Sequence, residues 1–257
     1  MKKRVKDLLI LENRVLNKDT FILYLKDDES INELVPGQFV EVLVKDSTST
    51  FLRRPISIHD VDKENNIISL FIKIVGDGTR KLSQLKANDS LNVMYPLGNG
   101  FSLEKKDQVL LVGGGCGIAP LLYLARWMSE QKVDVHILLG GKTSDDLLQI
   151  DEYEKYGTVF LTSEDGSKGQ QGFVTQHSIL KSDRNYQMIY SCGPEPMMKS
   201  VAKWAREQNV DCEVSLENTM ACGIGACLCC VTETKNGNQC VCTEGPVFNI
   251  NDLKWQI

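Results

Sequence analysis

The chain is predicted to be a multi-domain β plus α/β protein: an N-terminal antiparallel β-barrel, a doubly wound parallel α/β domain and a small C-terminal loop domain rich in cysteine. Three observations carry this. Up to about residue 95 the apolar runs are short, β-branched and broken by polar turns, whereas after residue 100 fully apolar strands alternate with helical spacing. Beyond Glu217 the large apolar residues give way to Gly, Cys and polar side chains. The expected boundaries are therefore 1–100, 101–216 and 217–257.

In the first unit, strands are expected at Phe21–Leu25, Phe39–Val44, Ile67–Val75 and Ser90–Tyr95. Turn signals at Val35-Pro36-Gly37-Gln38 and Lys86-Ala87-Asn88-Asp89 separate them, and no long amphipathic helix intervenes, which favours a small closed barrel or sandwich. Pro96-Leu97-Gly98-Asn99-Gly100 reads as the linker. Then Gln108–Val112 is an apolar strand, Pro120–Gln131 a helix and Val133–Leu139 a strand, a βαβ unit. Further strands are expected at Thr158–Thr162, Met188–Ser191 and Cys212–Leu216, with helices near Val174–Leu180 and Met197–Gln208. The tail after Glu217 is too poor in apolar side chains to hold itself by burial and needs a staple.

With 42% hydrophobic and 25% charged residues, the composition is that of a globular protein able to bury a core. The 29 basic and 34 acidic residues leave a net charge of -5, which lacks the basic excess that nucleic acid or an anionic membrane surface calls for. No apolar run approaches the roughly 18 residues of a membrane span, and Leu8–Leu11 is too short for a signal-peptide core. A cytoplasmic location is expected, where thiols stay reduced and clustered cysteines point to metal rather than to disulfides. Of nine cysteines, Cys222, Cys227, Cys229, Cys230, Cys240 and Cys242 fall within 21 residues.

Cys222-Gly223-Ile224-Gly225-Ala226-Cys227-Leu228-Cys229-Cys230 has the C-x4-C-x2-C spacing of plant-type two-iron, two-sulfur clusters. Cys242 is the expected fourth ligand and Cys240 the alternate, with a zinc knuckle or a disulfide knot as the competing reading. Gly113-Gly114-Gly115-Cys116-Gly117 follows a strand and opens a helix, where a phosphate-bearing ligand can approach the backbone. The same stretch can serve close packing alone. Arg53-Arg54-Pro55-Ile56-Ser57 and Val75-Gly76-Asp77-Gly78-Thr79-Arg80 together suit a pyrophosphate, although taken singly each is a common surface feature. Ser191-Cys192-Gly193-Pro194 sits at the carboxyl end of a parallel strand, where ligands bind open α/β sheets. His59, His136 and His177 show no ligand spacing, and no nucleophilic triad stands out.

These segments, in this order, resemble the ferredoxin reductase superfamily over nearly the whole chain. Within it, Arg53-Arg54-Pro55-Ile56-Ser57-Ile58, Pro96-Leu97-Gly98-Asn99-Gly100-Phe101, Met220-Ala221-Cys222-Gly223-Ile224-Gly225-Ala226-Cys227 and Glu244-Gly245-Pro246-Val247-Phe248 are similar to the electron transfer subunits of dihydroorotate dehydrogenase B. The resemblance implies FAD held by Arg54, Pro55, Ile56 and Ser57, by the edge strand Phe71, Ile72 and Lys73, and by Gly78 and Thr79. It implies NAD at Gly113, Gly114, Gly115 and Gly117 and at Cys192, Gly193 and Pro194. A 2Fe-2S cluster would be held by Cys222, Cys227, Cys230 and Cys242, with Cys229 and Cys240 as the departures from the simplest pattern. NAD rather than NADP is expected, since no arginine pair follows the second α/β strand, although Lys142 lies close by.

The resemblance further implies an oxidoreductase subunit in pyrimidine (UMP) biosynthesis, working as a heterotetramer of two catalytic and two electron transfer subunits. Electrons would run from the FMN of the catalytic partner through the cluster and FAD to NAD. Two other readings share these motifs: a flavin and iron–sulfur subunit of a sulfide dehydrogenase, bifurcating transhydrogenase or hydrogenase, and a non-enzymatic iron–sulfur redox sensor.

Overall fold

The computed structural model describes residues 2–45, 47–182 and 184–257. Six strands form the barrel: β1 (Arg4–Asn17), β2 (Thr20–Lys26), β3 (Phe39–Val42), β4 (Arg54–Asp62), β5 (Ile67–Lys73) and β6 (Ser90–Leu97), closed in the order β1-β2-β5-β4-β3-β6 with antiparallel pairs. Its interior is Leu8, Ile10, Leu23, Val40, Ile58, Leu70 and Val93, each at most 1% exposed. A two-residue period points these side chains inward while the charged neighbours in β1 face out. Between β5 and β6 the expected amide-presenting turn is a short helix, α1 (Asp77–Leu82).

The second unit contains β7 (Gln108–Gly114), α2 (Leu121–Glu130), β8 (Asp134–Gly141), α3 (Ile150–Glu154), β9 (Thr158–Ser163), β10 (Gln170–Gln171), β11 (Met188–Cys192), α4 (Glu195–Glu207) and β12 (Asp211–Ser215). Its sheet runs β10-β9-β8-β7-β11-β12 in parallel, with helices on both faces. Both faces are buried, so β7 is apolar throughout: Val109 and Leu111 pack on one side, Leu110 and Val112 on the other. The helix expected near Val174–Leu180 is instead two 3-10 turns, Val174–Gln176 and Ser178–Lys181, because His177 adopts an extended conformation between them.

The tail forms a hairpin, β13 (Val231–Thr234) and β14 (Gly237–Cys240), followed by β15 (Val247–Asn249). β15 adds antiparallel to β12, so the sheet of the second unit itself ties down the C-terminal segment. Residues 96–100 are no slack linker either. β6 continues to Leu97, and Asn99 bridges to Pro246. Among the described residues no helix is long and apolar enough to cross a membrane.

Candidate functional site: two abutting clefts and a cysteine loop

Two clefts of about 900 and 880 Å3 open between barrel and sheet and share one wall: Lys73, Cys116, Leu216, Glu217 and Asn218 line both. The barrel-side cleft carries Arg54, Pro55, Ile56 and Ser57 from β4, Phe71, Ile72 and Lys73 from β5, and Gly78 and Thr79 from α1. The register Phe39↔Ser57 and Val42↔Arg54 sets the β4 residues along its floor.

The two adjacent arginines part company here. Arg53 donates to the main-chain oxygens of Glu41 and Asn92, whereas Arg54 is exposed to the cleft and makes no hydrogen bond or ion pair among the described residues. An exposed guanidinium beside first-turn N–H groups, which a helix leaves without internal acceptors, fits a pyrophosphate. The Thr79 hydroxyl is spent on the loop itself. It accepts from the N–H of Val75 at 2.9 Å and Gly76 at 3.3 Å and donates to the Gly76 carbonyl at 3.1 Å. What Thr79 offers a phosphate is therefore its backbone. At the shared wall Lys73 pairs with Asp146 at 3.1 Å, while burial pushes the Glu217 carboxyl up. Cys116 opens onto both clefts, yet the protein around it desolvates the thiol and raises its pKa, with Glu217 adding to the shift.

The sheet-side cleft lies at the carboxyl ends of β7, β8 and β11, lined by Gly114, Gly115, Gly117, Gly193 and Pro194. Gly117 is there for backbone contact: a Cβ on it would come within 2.4 Å of the Gly193 N and Cα. Gly113 and Cys192 stand one layer behind. A Cβ at Gly113 would meet Ile118 and Leu121 at 2.9 and 3.0 Å, a packing role, and Cys192 is 1% exposed, its thiol pushed well up by burial. Several cleft residues carried no motif: Ser49–Leu52 on the barrel side, Glu164 and Phe173 on the sheet side, and 216–218 between them.

In the cysteine loop the thiols associate in pairs. The Cys227 N–H donates to the Cys222 sulfur and the Cys242 N–H to the Cys230 sulfur, each at 3.4 Å. Gly223 and Gly225 have φ of +63° and +79°, a left-handed backbone that lets the loop wrap tightly. The Ile224 N–H, followed by that of Cys227, lowers the Cys222 pKa to about 6, favouring the thiolate a metal needs, while the Gly225 N–H donates to Cys242. Cys240 also touches the Cys230 thiol, whereas Cys229 is exposed. Among the described residues no three metal-ligating side chains converge on one point. Two thiol pairs at C-x4-C-x2-C spacing fit a binuclear cluster with two thiolates per iron. Beneath the loop lies Glu41 of β3: a Cβ at Gly223 would come within 2.8 Å of its carboxyl carbon.

Comparison with known proteins agrees with this layout. Residues 7–101 match an oxidoreductase FAD-binding domain, 111–203 an oxidoreductase NAD-binding domain, and 217–254 the iron–sulfur cluster binding domain of dihydroorotate dehydrogenase B. The chain is 38% identical over 259 residues to the dihydroorotate dehydrogenase B (NAD(+)) electron transfer subunit of Fusobacterium nucleatum, covering 98% of this chain and 99% of that protein. It is 41% identical over 217 residues to the subunit of that name from Caldanaerobacter subterraneus, covering 83% and 84%. The solved NADH-dependent reduced ferredoxin-NADP oxidoreductase superposes with a TM-score of 0.88 at 31% identity, covering 96% of this chain and 90% of that one. The fold is thus shared with a bifurcating oxidoreductase, while identity along the full length favours the dihydroorotate dehydrogenase relatives. FAD-binding, NAD-binding and iron–sulfur cluster binding domains on one chain make this an oxidoreductase subunit, and it belongs to the family of electron transfer subunits of NAD-dependent dihydroorotate dehydrogenase B.

Proposed function

We propose that the chain receives the electrons that a separate FMN-containing catalytic subunit takes from dihydroorotate, and passes them to NAD in pyrimidine synthesis. The two kinds of subunit would assemble two plus two in the cytoplasm. The observation that carries this reading is the segment 216–218: it lines the wall between the two clefts and leads within four residues to Cys222 of the cluster loop. One stretch of backbone therefore joins all three sites.

Bound flavin supplies the exchange between a hydride on the nicotinamide side and single electrons on the cluster side. The chain's own residues hold and shield that exchange. Arg54 and the first turn of α1 would neutralise the pyrophosphate, and Gly114, Gly115, Gly117 and Gly193 would let the nucleotide lie against bare backbone. The wall segment is pinned at both ends: the Leu216 N–H donates to the Pro246 carbonyl at 2.8 Å, and the Asn218 amide donates to the Val231 carbonyl at 3.2 Å. Such pinning holds the distance between the sites fixed.

The test is a division of labour. The purified chain should reduce dyes with NADH and leave dihydroorotate untouched, and adding the FMN subunit should restore dihydroorotate-dependent NAD reduction. Dihydroorotate oxidation by the isolated chain would sink the proposal. A mass of the mixture by light scattering that departs from two plus two would correct the stoichiometry alone.

A further inference from the structure

Glu41 is 0% exposed, and among the described residues neither oxygen of its carboxyl group has a hydrogen-bond partner. Taking a carboxylate out of water and leaving it without donors is costly, so a chain that keeps one there calls for a reason.

The register of β3 fixes what surrounds this group. Val40 and Val42 face the barrel interior, so Phe39 and Glu41 face out. Glu41 stands opposite Pro55 of β4 on one side and Met94 of β6 on the other. Side chains so opposed are neighbours, with about 5 Å between their Cβ atoms. Pro55 lines the barrel-side cleft, and so does Phe39. Over Glu41 and Met94 lies the cysteine loop. A Cβ at Gly223, beside Cys222, would come within 2.8 Å of the Glu41 carboxyl carbon, 2.9 Å of its Oε2 and 2.8 Å of Met94 Cε. The carboxyl group therefore sits, closed to water, in the seam between the flavin cleft and the cluster loop.

Burial pushes this carboxyl up, and the guanidinium groups of Arg53 and Arg54 act against that shift to keep it ionised. Arg53 also donates to the main-chain oxygen of Glu41 at 3.3 Å, which holds one of these cations beside the strand. Neither arginine makes an ion pair with the carboxyl group, so its charge is left to act on what lies above it.

We propose that Glu41 is the buried charge that holds the reduction potential of the 2Fe-2S centre low and so favours passage of each electron from the cluster loop to the flavin cleft. Its contact with the loop is at Gly223, so it acts by its field and not as a ligand. Reduction adds one electron, and hence one negative charge, to the loop. A fixed negative charge in a water-poor seam penalises that addition. This deepens the electron-carrying role proposed above and rests on it.

The experiment is a redox titration of the anaerobically purified full-length chain with dithionite at one fixed pH, the reduced cluster being followed by electron paramagnetic resonance. Glu41→Gln keeps the shape and removes the charge, and Glu41→Met removes the polar atoms as well. Both should move the cluster midpoint upward, and NADH should reduce a larger fraction of the cluster in both than in the unsubstituted chain. Unchanged midpoints, with about two irons and two acid-labile sulfides per chain retained, would overturn the proposal. A midpoint moved in Glu41→Met alone, or cluster loss in both variants, would also overturn it, since Glu41 would then serve only the packing of the loop. The titration needs no catalytic partner, so a negative result leaves standing the transfer from dihydroorotate that the FMN subunit tests. An unsubstituted chain without iron would overturn both.

Discussion

The Cys242 N–H donates to the Cys230 sulfur at 3.4 Å across the closing turn of the cluster loop. That bond, together with the Gly225 N–H donated to Cys242, places residue 242 with the other loop thiols, whereas the Cys240 amide is turned away to the Glu244 carboxylate at 2.7 Å. Cys242→Ser should therefore lose the cluster. Cys240→Ser and Cys229→Ser should keep about two irons and two acid-labile sulfides per chain. Iron and sulfide assays on anaerobically purified variants decide it. Cluster loss in Cys240→Ser with retention in Cys242→Ser would move the fourth ligand to Cys240.

Gly117 and Gly193 cross backbone to backbone at the floor of the nucleotide cleft. A methyl at 117 has 2.4 Å to the Gly193 N and Cα, and no flexible side chain there can give way. Gly117→Ala should push the two loops apart and weaken NADH binding by more than tenfold, while the flavin, on the other side of the wall, stays bound. A titration of NADH against flavin reduction measures this. Gly115→Ala differs in kind: nothing lies within 4 Å of its Cβ position, but φ is +55°, so it adds backbone strain without a clash between the two loops.

Much of this architecture was legible because burial writes itself into pattern. β7, covered on both faces, reads as an unbroken apolar run, and α2 shows its helical stripe. β1 was not legible: over Arg4–Asn17 charges interleave with the core residues Leu8 and Ile10 and hide the strand. The helix near Val174 failed because periodicity cannot foresee the extended His177. At the site, motifs pointed to Arg54, the glycine loop and the cysteines, while Phe51, Glu164 and the 216–218 wall have no local signature. Their position arises only when distant segments meet.

Stability should fall on acidification below about pH 6.5 through the buried histidines. Desolvation holds His59 below its ordinary value, outweighing the opposing hydrogen bonds to the Ala119 carbonyl at 2.7 Å and the Gln149 side chain at 2.6 Å. A neutral ring donates from Nδ1 to Ala119 and accepts at Nε2, which requires the Gln149 NH2 to face it. Unfolding frees the ring to take a proton below about 6.5, so the unfolded state binds more protons there and the folded state loses up to about 1.4 kcal/mol per pH unit until its own lowered pKa is reached. Asp60, raised by burial, acts in the opposite sense in acid. The clean measurement is the difference in Tm between the unsubstituted chain and His59→Gln, from pH 7.5 to 5.5. The gap should narrow as pH falls, and a constant gap would mean that His59 does not titrate on unfolding.

The last prediction concerns Asn99, which ties the barrel to the cluster tail. Its side-chain amide donates to the carbonyls of Thr243 at 3.1 Å and Glu244 at 3.0 Å, and its own N–H donates to the Gly245 carbonyl at 2.6 Å. Asn99→Ala removes the two side-chain bonds while leaving the backbone one, a loss of about 1–3 kcal/mol. Gly98→Ala is harsher, because φ is +71° and the new Cβ would lie 2.4 Å from Pro246 Cδ. Both changes act on the segment that follows Cys242, so both should speed cluster loss under chelator, Gly98→Ala more than Asn99→Ala. In Asn99→Ala flavin should stay bound, since the stretch 215–218 of that cleft is held separately by β12 and the Asn218 amide, whereas Gly98→Ala strikes Pro246 and Phe39, which also line the cleft, and should loosen flavin as well. Iron release under chelator, followed alongside flavin fluorescence, separates the two. Flavin leaving in step with iron in Asn99→Ala would show that the tail and the barrel-side cleft open as one unit, and the clamp would then be part of the flavin site.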